Sequence, residues 1–140
     1  MENFLDISKI MAHLSVLERP SIFDRDSHQW IYFQPIYLNG FEVEIGAGIG
    51  SFSEPYSDLD KITYYKTVQV SVYEIIKGEK TVIKPGVDER FRNFVWSKHF
   101  VHVDKNGNRK ESYIGDRVPL NEVCQMIREI YKISRLKLFY

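Results

Sequence analysis

Few side chains in this 140-residue chain are spaced for chemistry. Gly46-Ala-Gly48-Ile-Gly50 has the outline of a phosphate-binding loop. Such a loop must lead into a helix whose first amides face the phosphate. Here Ser51-Phe-Ser-Glu-Pro55 follows, and Gly-Lys-Ser/Thr occurs nowhere, so a flexible or bulged strand end is expected. His99 and His102 are three residues apart, which on a strand places them on opposite faces. His102 and Asp104 would share a face, but two ligands do not close a zinc site. His13-Leu-Ser15 is a lone His-x-Ser/Thr pair where a two-histidine phosphoesterase needs two, and it falls in a helix. The single cysteine, Cys124, can form no internal disulfide and sits on an apolar helical stripe, where a thiol behaves as a small hydrophobe. No Gly-x-Ser-x-Gly elbow is present, and Asp24 with Asp26 and Asp58 with Asp60 fall in loops. The expectation is a chain with no catalytic residue, no metal site and no cofactor. An enzyme acting through His99, His102 or the loop in the 50s is a third reading.

The elements that would position these residues can be read from periodicity. Ile7, Ile10, Met11, Leu14 and Leu17 recur at helical spacing, which predicts an amphipathic helix over residues 5–18, capped by Asn3 or Asp6. The aromatic and β-branched run Gln29 to Leu38 reads as a strand, with Pro35 placing it at an edge or a bulge. Asn39-Gly40 then suits a two-residue hairpin turn with both residues at positive φ. Beyond it Phe41, Val43 and Ile45 alternate with Glu42 and Glu44, a half-buried strand with its acids in water. Residues 46–60 are the loosest stretch. A strand resumes at Ile62, with Val68, Val70 and Val72 on one face, and Lys77-Gly78-Glu79 turns into a short strand over Lys80 to Lys84. Phe94 to Val103 reads as a strand, Asp104 to Asn108 as its turn, and Lys110 to Ile114 as the return. Pro119 opens a helix carrying Leu120, Val123, Cys124, Ile127, Ile130 and Tyr131, to about Ile133. A last strand covers Arg135 to Tyr140. The predicted fold is a single α+β domain over residues 1–140: a mostly antiparallel sheet with an N-terminal and a C-terminal helix packed on one face.

Two surface features remain. Aromatics make up 14% of the chain, and two helices need not cover both faces of a sheet. Tyr32, Tyr37, Tyr65 and Tyr73 are candidates for an exposed patch of the kind enriched at binding hot spots, or else line the rim of the core. Charge is the other feature. Nineteen basic side chains balance nineteen acidic ones, which excludes a uniformly basic nucleic-acid binder. The balance is uneven along the chain: residues 1–60 carry three basic against ten acidic, and residues 61–140 sixteen against nine. Gln125, Arg128 and Lys132 share a helical face, Arg135 and Lys137 follow, and Arg109 and Lys110 project from a hairpin. This set is a candidate nucleic-acid contact, or a solvated helix face near the favourable end of the helix dipole.

The N-terminus has neither the basic nor the apolar region of a secretory signal, no apolar run approaches a membrane span, and the C-terminus matches no lipidation motif. A cytoplasmic protein with no membrane partner is the expectation. The order Gly46-x-Gly-x-Gly-Ser-Phe-Ser-Glu-Pro55, Tyr65-Lys-Thr-Val-Gln-Val-Ser-Val-Tyr-Glu74 and Ile114-Gly-Asp-Arg-Val-Pro-Leu-Asn-Glu-Val123 resembles small accessory proteins of phages and mobile elements. The resemblance implies a non-catalytic binder that blocks a host protein or ribonucleoprotein complex such as a defence nuclease. A nucleic-acid-binding accessory using the basic C-terminal face is the second expectation.

Overall fold

The computed structural model describes residues 5–17, 22–24, 29–31, 33–48, 51–103 and 112–137. Helix α1 spans Ile7–Ser15, and its first turn is closed by Asp6, whose carboxylate accepts from the Ser8 amide at 2.9 Å. These bonds hold the Asp6 carboxyl below its ordinary range, as expected for an N-cap. Ile10 and Leu14 are fully buried, while Ile7, Met11 and Leu17 pack at the margin.

Strands β1 (Ile22–Asp24) and β2 (Gln29–Ile31) form a separate two-stranded sheet. The main sheet has six strands: β3 (Phe33–Leu38), β4 (Phe41–Gly46), β5 (Thr67–Ile76), β6 (Glu79–Val82), β7 (Phe100–Val103) and β8 (Ser112–Pro119). All pairings are antiparallel, in the order β3-β4-β5-β8-β7, with β6 continuing the β8 side of β5. Helix α2 (Leu120–Lys137) contacts β3, β4, β5 and β8, and α1 packs on α2. The α+β architecture read from the periodicity is therefore the observed one. Among the described residues no helix is long and apolar enough to cross a membrane.

One core joins the layers. Ile36, Leu38, Val43, Ile45, Val68, Val70 and Val72 meet Val123, Cys124, Met126, Ile127 and Ile130 of α2. Pro35 sits on β3, the edge strand, where its missing donor is tolerated. The Asn39-Gly40 turn differs from expectation. Only Gly40 takes positive φ, at 89°, and the Asn39 side chain donates to the Ser134 carbonyl of α2 at 3.1 Å. Both central residues of the β5–β6 turn do have positive φ, Lys77 at 51° and Gly78 at 81°, as a twisted two-residue hairpin prefers.

Four other expectations are corrected. Residues Ile62–Tyr64 form a 3-10 turn, and the strand begins only at Thr67. Burial of Ile62 and Tyr65 wins there over strand alternation. Val95–His99 is likewise 3-10, so β7 starts at Phe100. The Ser97 hydroxyl closes that turn by donating to the Arg92 and Phe94 carbonyls, the local competition with extended backbone that serine offers. It places Trp96 between Phe91 and Phe94, with ring centroids at 6.0 and 5.4 Å. Helix α2 continues to Lys137, so residues 135–137 are not a strand, because the buried spacing runs on through Ile130 to Ser134. Residues 138–140 and the turn 104–108 lie outside the described residues, as does Lys110. Pro119 ends β8 one residue before the helix, rather than standing in its first turn.

Strand β8 carries a bulge: Asp116 and Arg117 together face the single β5 residue Gln69. Arg117 adopts φ 49°, its amide donates to the Phe52 carbonyl, and its guanidinium lies over the Phe52 ring. Beside the bulge, a Cβ on Gly115 would stand 2.8 Å from Val118 Cγ2 and 3.2 Å from Phe100. Gly115→Ala is expected to destabilise the fold by about 1–3 kcal/mol through overpacking. Gly78→Ala, with nothing within 4 Å but a positive φ, should cost about 1 kcal/mol. Urea denaturation of both variants checks the ranking.

Candidate functional site

Alternation on β5 sends Val68, Val70 and Val72 to the core and Gln69, Ser71 and Tyr73 to the other face. Register then builds a row across that face: Tyr37 on β3 opposes Glu42 on β4, Glu42 opposes Tyr73 on β5, and Tyr73 opposes Val82 on β6. Glu44, two residues along β4, faces the same way beside Ser71. Neither described helix packs on this open face.

The acids are not in water, contrary to the expectation from alternation. Glu42 is 3% exposed and Glu44 half-buried. Their cover is Lys80, which reaches in from β6. Its Nζ donates to Glu44 Oε2 at 2.6 Å and lies 2.7 Å from Glu42 Oε2. The second contact is an ion pair without hydrogen-bond geometry, so Glu42 Oε2 is buried with an ionic partner only. The ammonium also stands 4.4 Å from the centre of the Tyr73 ring, a cation–π contact.

The two carboxyl groups share one ammonium, and their titrations are pushed apart. Burial and the Glu42 carboxyl raise Glu44. Burial also acts to raise Glu42, but contacts with Glu44, Lys80 and the Tyr37 hydroxyl outweigh it and hold Glu42 below the ordinary range. Contacts with both carboxylates raise Lys80. Burial and the Glu44 charge raise Tyr73.

The four tyrosine candidates do not form one patch. Tyr37 is 70% exposed and Tyr73 half-buried in the row just described. Tyr65 is 1% exposed and belongs to the core. Its hydroxyl donates to the Ser57 carbonyl at 2.6 Å and accepts from the Leu59 amide at 2.7 Å, tying down the preceding loop. Tyr32 lies outside the described residues, as do Arg109, Lys110 and the Arg135 side chain. On α2, Arg128 is half-buried with its Nε enclosed and unbonded, and Lys132 stands 3.7 Å from Glu129. The described part of the basic set is thus partly sunk and partly paired.

The remaining chemistry is internal. His99 is bonded to Glu122 at 3.0 Å, joining the 3-10 turn to α2, and His102 packs edge-on against Tyr113. Burial pushes the Cys124 thiol up to about 11, away from a reactive thiolate. The glycine segment turns inward: the Gly48 amide donates to the Ser53 hydroxyl, and the Ser51 amide to the Gly48 carbonyl. Ala47, Ser51 and Ser53 are buried, so this part of residues 46–60 is packed rather than loose. Among the described residues no group of three His, Cys, Asp or Glu could hold a metal ion.

Sequence reading assigned Glu42 and Glu44 to the right face and missed their partner. The alternation of Lys80 with its β6 neighbours was the available signal, but pairing β6 to β5 in register was needed to use it. Removing the ammonium leaves two largely buried carboxylates without their shared cation. Lys80→Met is expected to cost about 1–2 kcal/mol, less than a fully buried pair because Lys80 is half exposed. Glu42→Gln together with Lys80→Met should cost less than the sum of the two single changes, and a double-mutant cycle in urea measures the coupling. Compared with family models, curated proteins and solved structures, the chain matches none.

Proposed function

We propose that this chain is a non-catalytic binding protein that docks a partner protein on the open face of its sheet. The observation that carries this reading is the cross-strand row Tyr37, Glu42, Tyr73, Val82, with Tyr37 70% and Val82 49% exposed on a face that neither described helix covers. An exposed tyrosine beside a half-buried one is the kind of side chain enriched at interface hot spots. The sign of the charge favours protein over nucleic acid. Two carboxylates stand against one ammonium, which disfavours a phosphate backbone. The non-catalytic part rests on the thiol being held protonated and on the packing of the glycine segment against its own serines. That the partner is a host protein or complex blocked by the binding rests on the resemblance of segments 46–55, 65–74 and 114–123 alone.

A photoreactive residue placed at position 37 or 82 is expected to crosslink one discrete protein in extract of the native cell, and one at position 125 on α2 should not. The purified partner should form a stoichiometric complex that Tyr37→Ala with Val82→Ser weakens at least about tenfold, the loss of one interface anchor. Lys132→Glu should leave that complex unchanged. Binding to DNA or RNA that weakens steeply with salt and is lost in Lys132→Glu would overturn the reading, as would turnover of a small substrate by the pure chain.

A further inference from the structure

The Glu42, Glu44 and Lys80 cluster has an unbalanced count. Oε2 of Glu42 and Oε2 of Glu44 both lie on a single ammonium, at 2.7 and 2.6 Å, and both carboxyl groups are largely buried. Among the described residues the other titratable groups facing them are Tyr37 from β3 and Tyr73 from β5, phenols that are neutral below about pH 10. With both acids ionised, one negative charge is left over beside a buried carboxylate. With one proton the cluster is neutral, and an O–H···O⁻ hydrogen bond between the two carboxyl groups that the ammonium draws together, among the stronger kinds, becomes available. With two protons Lys80 has no counter-charge. We propose that the Glu42–Glu44 pair binds one proton and that this singly protonated form is the one that latches β6 onto the open face through Lys80. The latch is a property of the fold and holds whether or not the face docks a partner.

The directions of titration agree with the geometry. Glu44 is raised, so it takes the first proton, and Glu42 is lowered, so it takes the second only in stronger acid. The contribution of Glu44 is complete below the unfolded glutamate value of about 4.3 and is lost as pH rises through its raised folded value. The contribution of Glu42 is present above that unfolded value and is lost as pH falls through its lowered folded value. Lys80 contributes below its unfolded value and loses that only in alkali. The latch is therefore tightest in mild acid, loosens as pH rises through the raised Glu44 value and is lost in strong acid. What it holds is the β5–β6 arm, all four β6 residues being exposed, and with it the spacing of Tyr73 and Val82 on the open face.

Side-chain carbon NMR of Glu42 and Glu44 in the full chain is expected to show two steps, one above and one below the ordinary glutamate range, each felt at both residues. Glu44→Gln supplies the neutral hydrogen-bond donor permanently. At a pH above the observed Glu44 step it should raise the exchange protection of the Ile83 amide, which bonds to the Val72 carbonyl, by about two- to fivefold, the worth of one partly exposed ion pair. Lys80→Met should lower that protection and abolish the gain from Glu44→Gln. Two independent titrations at the ordinary value, or lower protection in Glu44→Gln above the observed Glu44 step, would overturn the proposal. If Lys80→Met fails to fold, the wild-type titration and Glu44→Gln still decide it.

Discussion

Everything on the open face follows from burying Val68, Val70 and Val72 against α2. Successive residues of a strand point to opposite sides, so placing these three in the core forces Ser71 and Tyr73 outward. Register transmits the choice across the sheet. Glu42 and Glu44 follow on β4, Tyr37 on β3, and Lys80 and Val82 on β6. A slip of one residue in β4 would put both carboxylates into the apolar core, where unpaired charge costs several kcal/mol, so the same acids that mark the face also help to fix the pairing.

The parts of this arrangement differ in how far they can be read from the chain. Both helices announce themselves by apolar spacing, the β3–β4 hairpin by Asn39-Gly40 and the β5–β6 hairpin by Lys77-Gly78, because those signals are local. The failures are tertiary. Tyr65 looks like a sheet-face tyrosine until the backbone of Ser57 and Leu59 takes its hydroxyl. Phe94 to His99 has strand composition, but Ser97 bonds its own turn and packs Trp96 inward. Leu136 with Leu138 fits a strand, yet Ser134, one turn after Ile130, carries the helical stripe on. Glu42 and Glu44 fall on the correct face from alternation alone, while their burial depends on a lysine 36 residues later.

The same distance explains the charge map. The acidic first part and the basic second part of the chain do not form two opposed surfaces throughout. Lys80 crosses between them to sit on Glu42 and Glu44, while Arg90 pairs with Glu74 and Asp88, and Arg117 with Asp116, within the second part. What folding leaves is a local excess: one ammonium for two carboxylates, set among tyrosines. The carboxylates are its buried members and the ammonium its half-exposed one, so the excess negative charge lies beneath the surface of the face.

The sorting of side chains by the valine face is the central claim, and hydroxyl-radical footprinting of the free chain tests it most directly. Tyr37 should oxidise fast, Tyr73 slowly, and Tyr65 and Trp96 should be protected until the chain unfolds, in keeping with their exposures. Protection of Tyr37 in the free monomer, or rapid oxidation of Tyr65 in the folded chain, would contradict it.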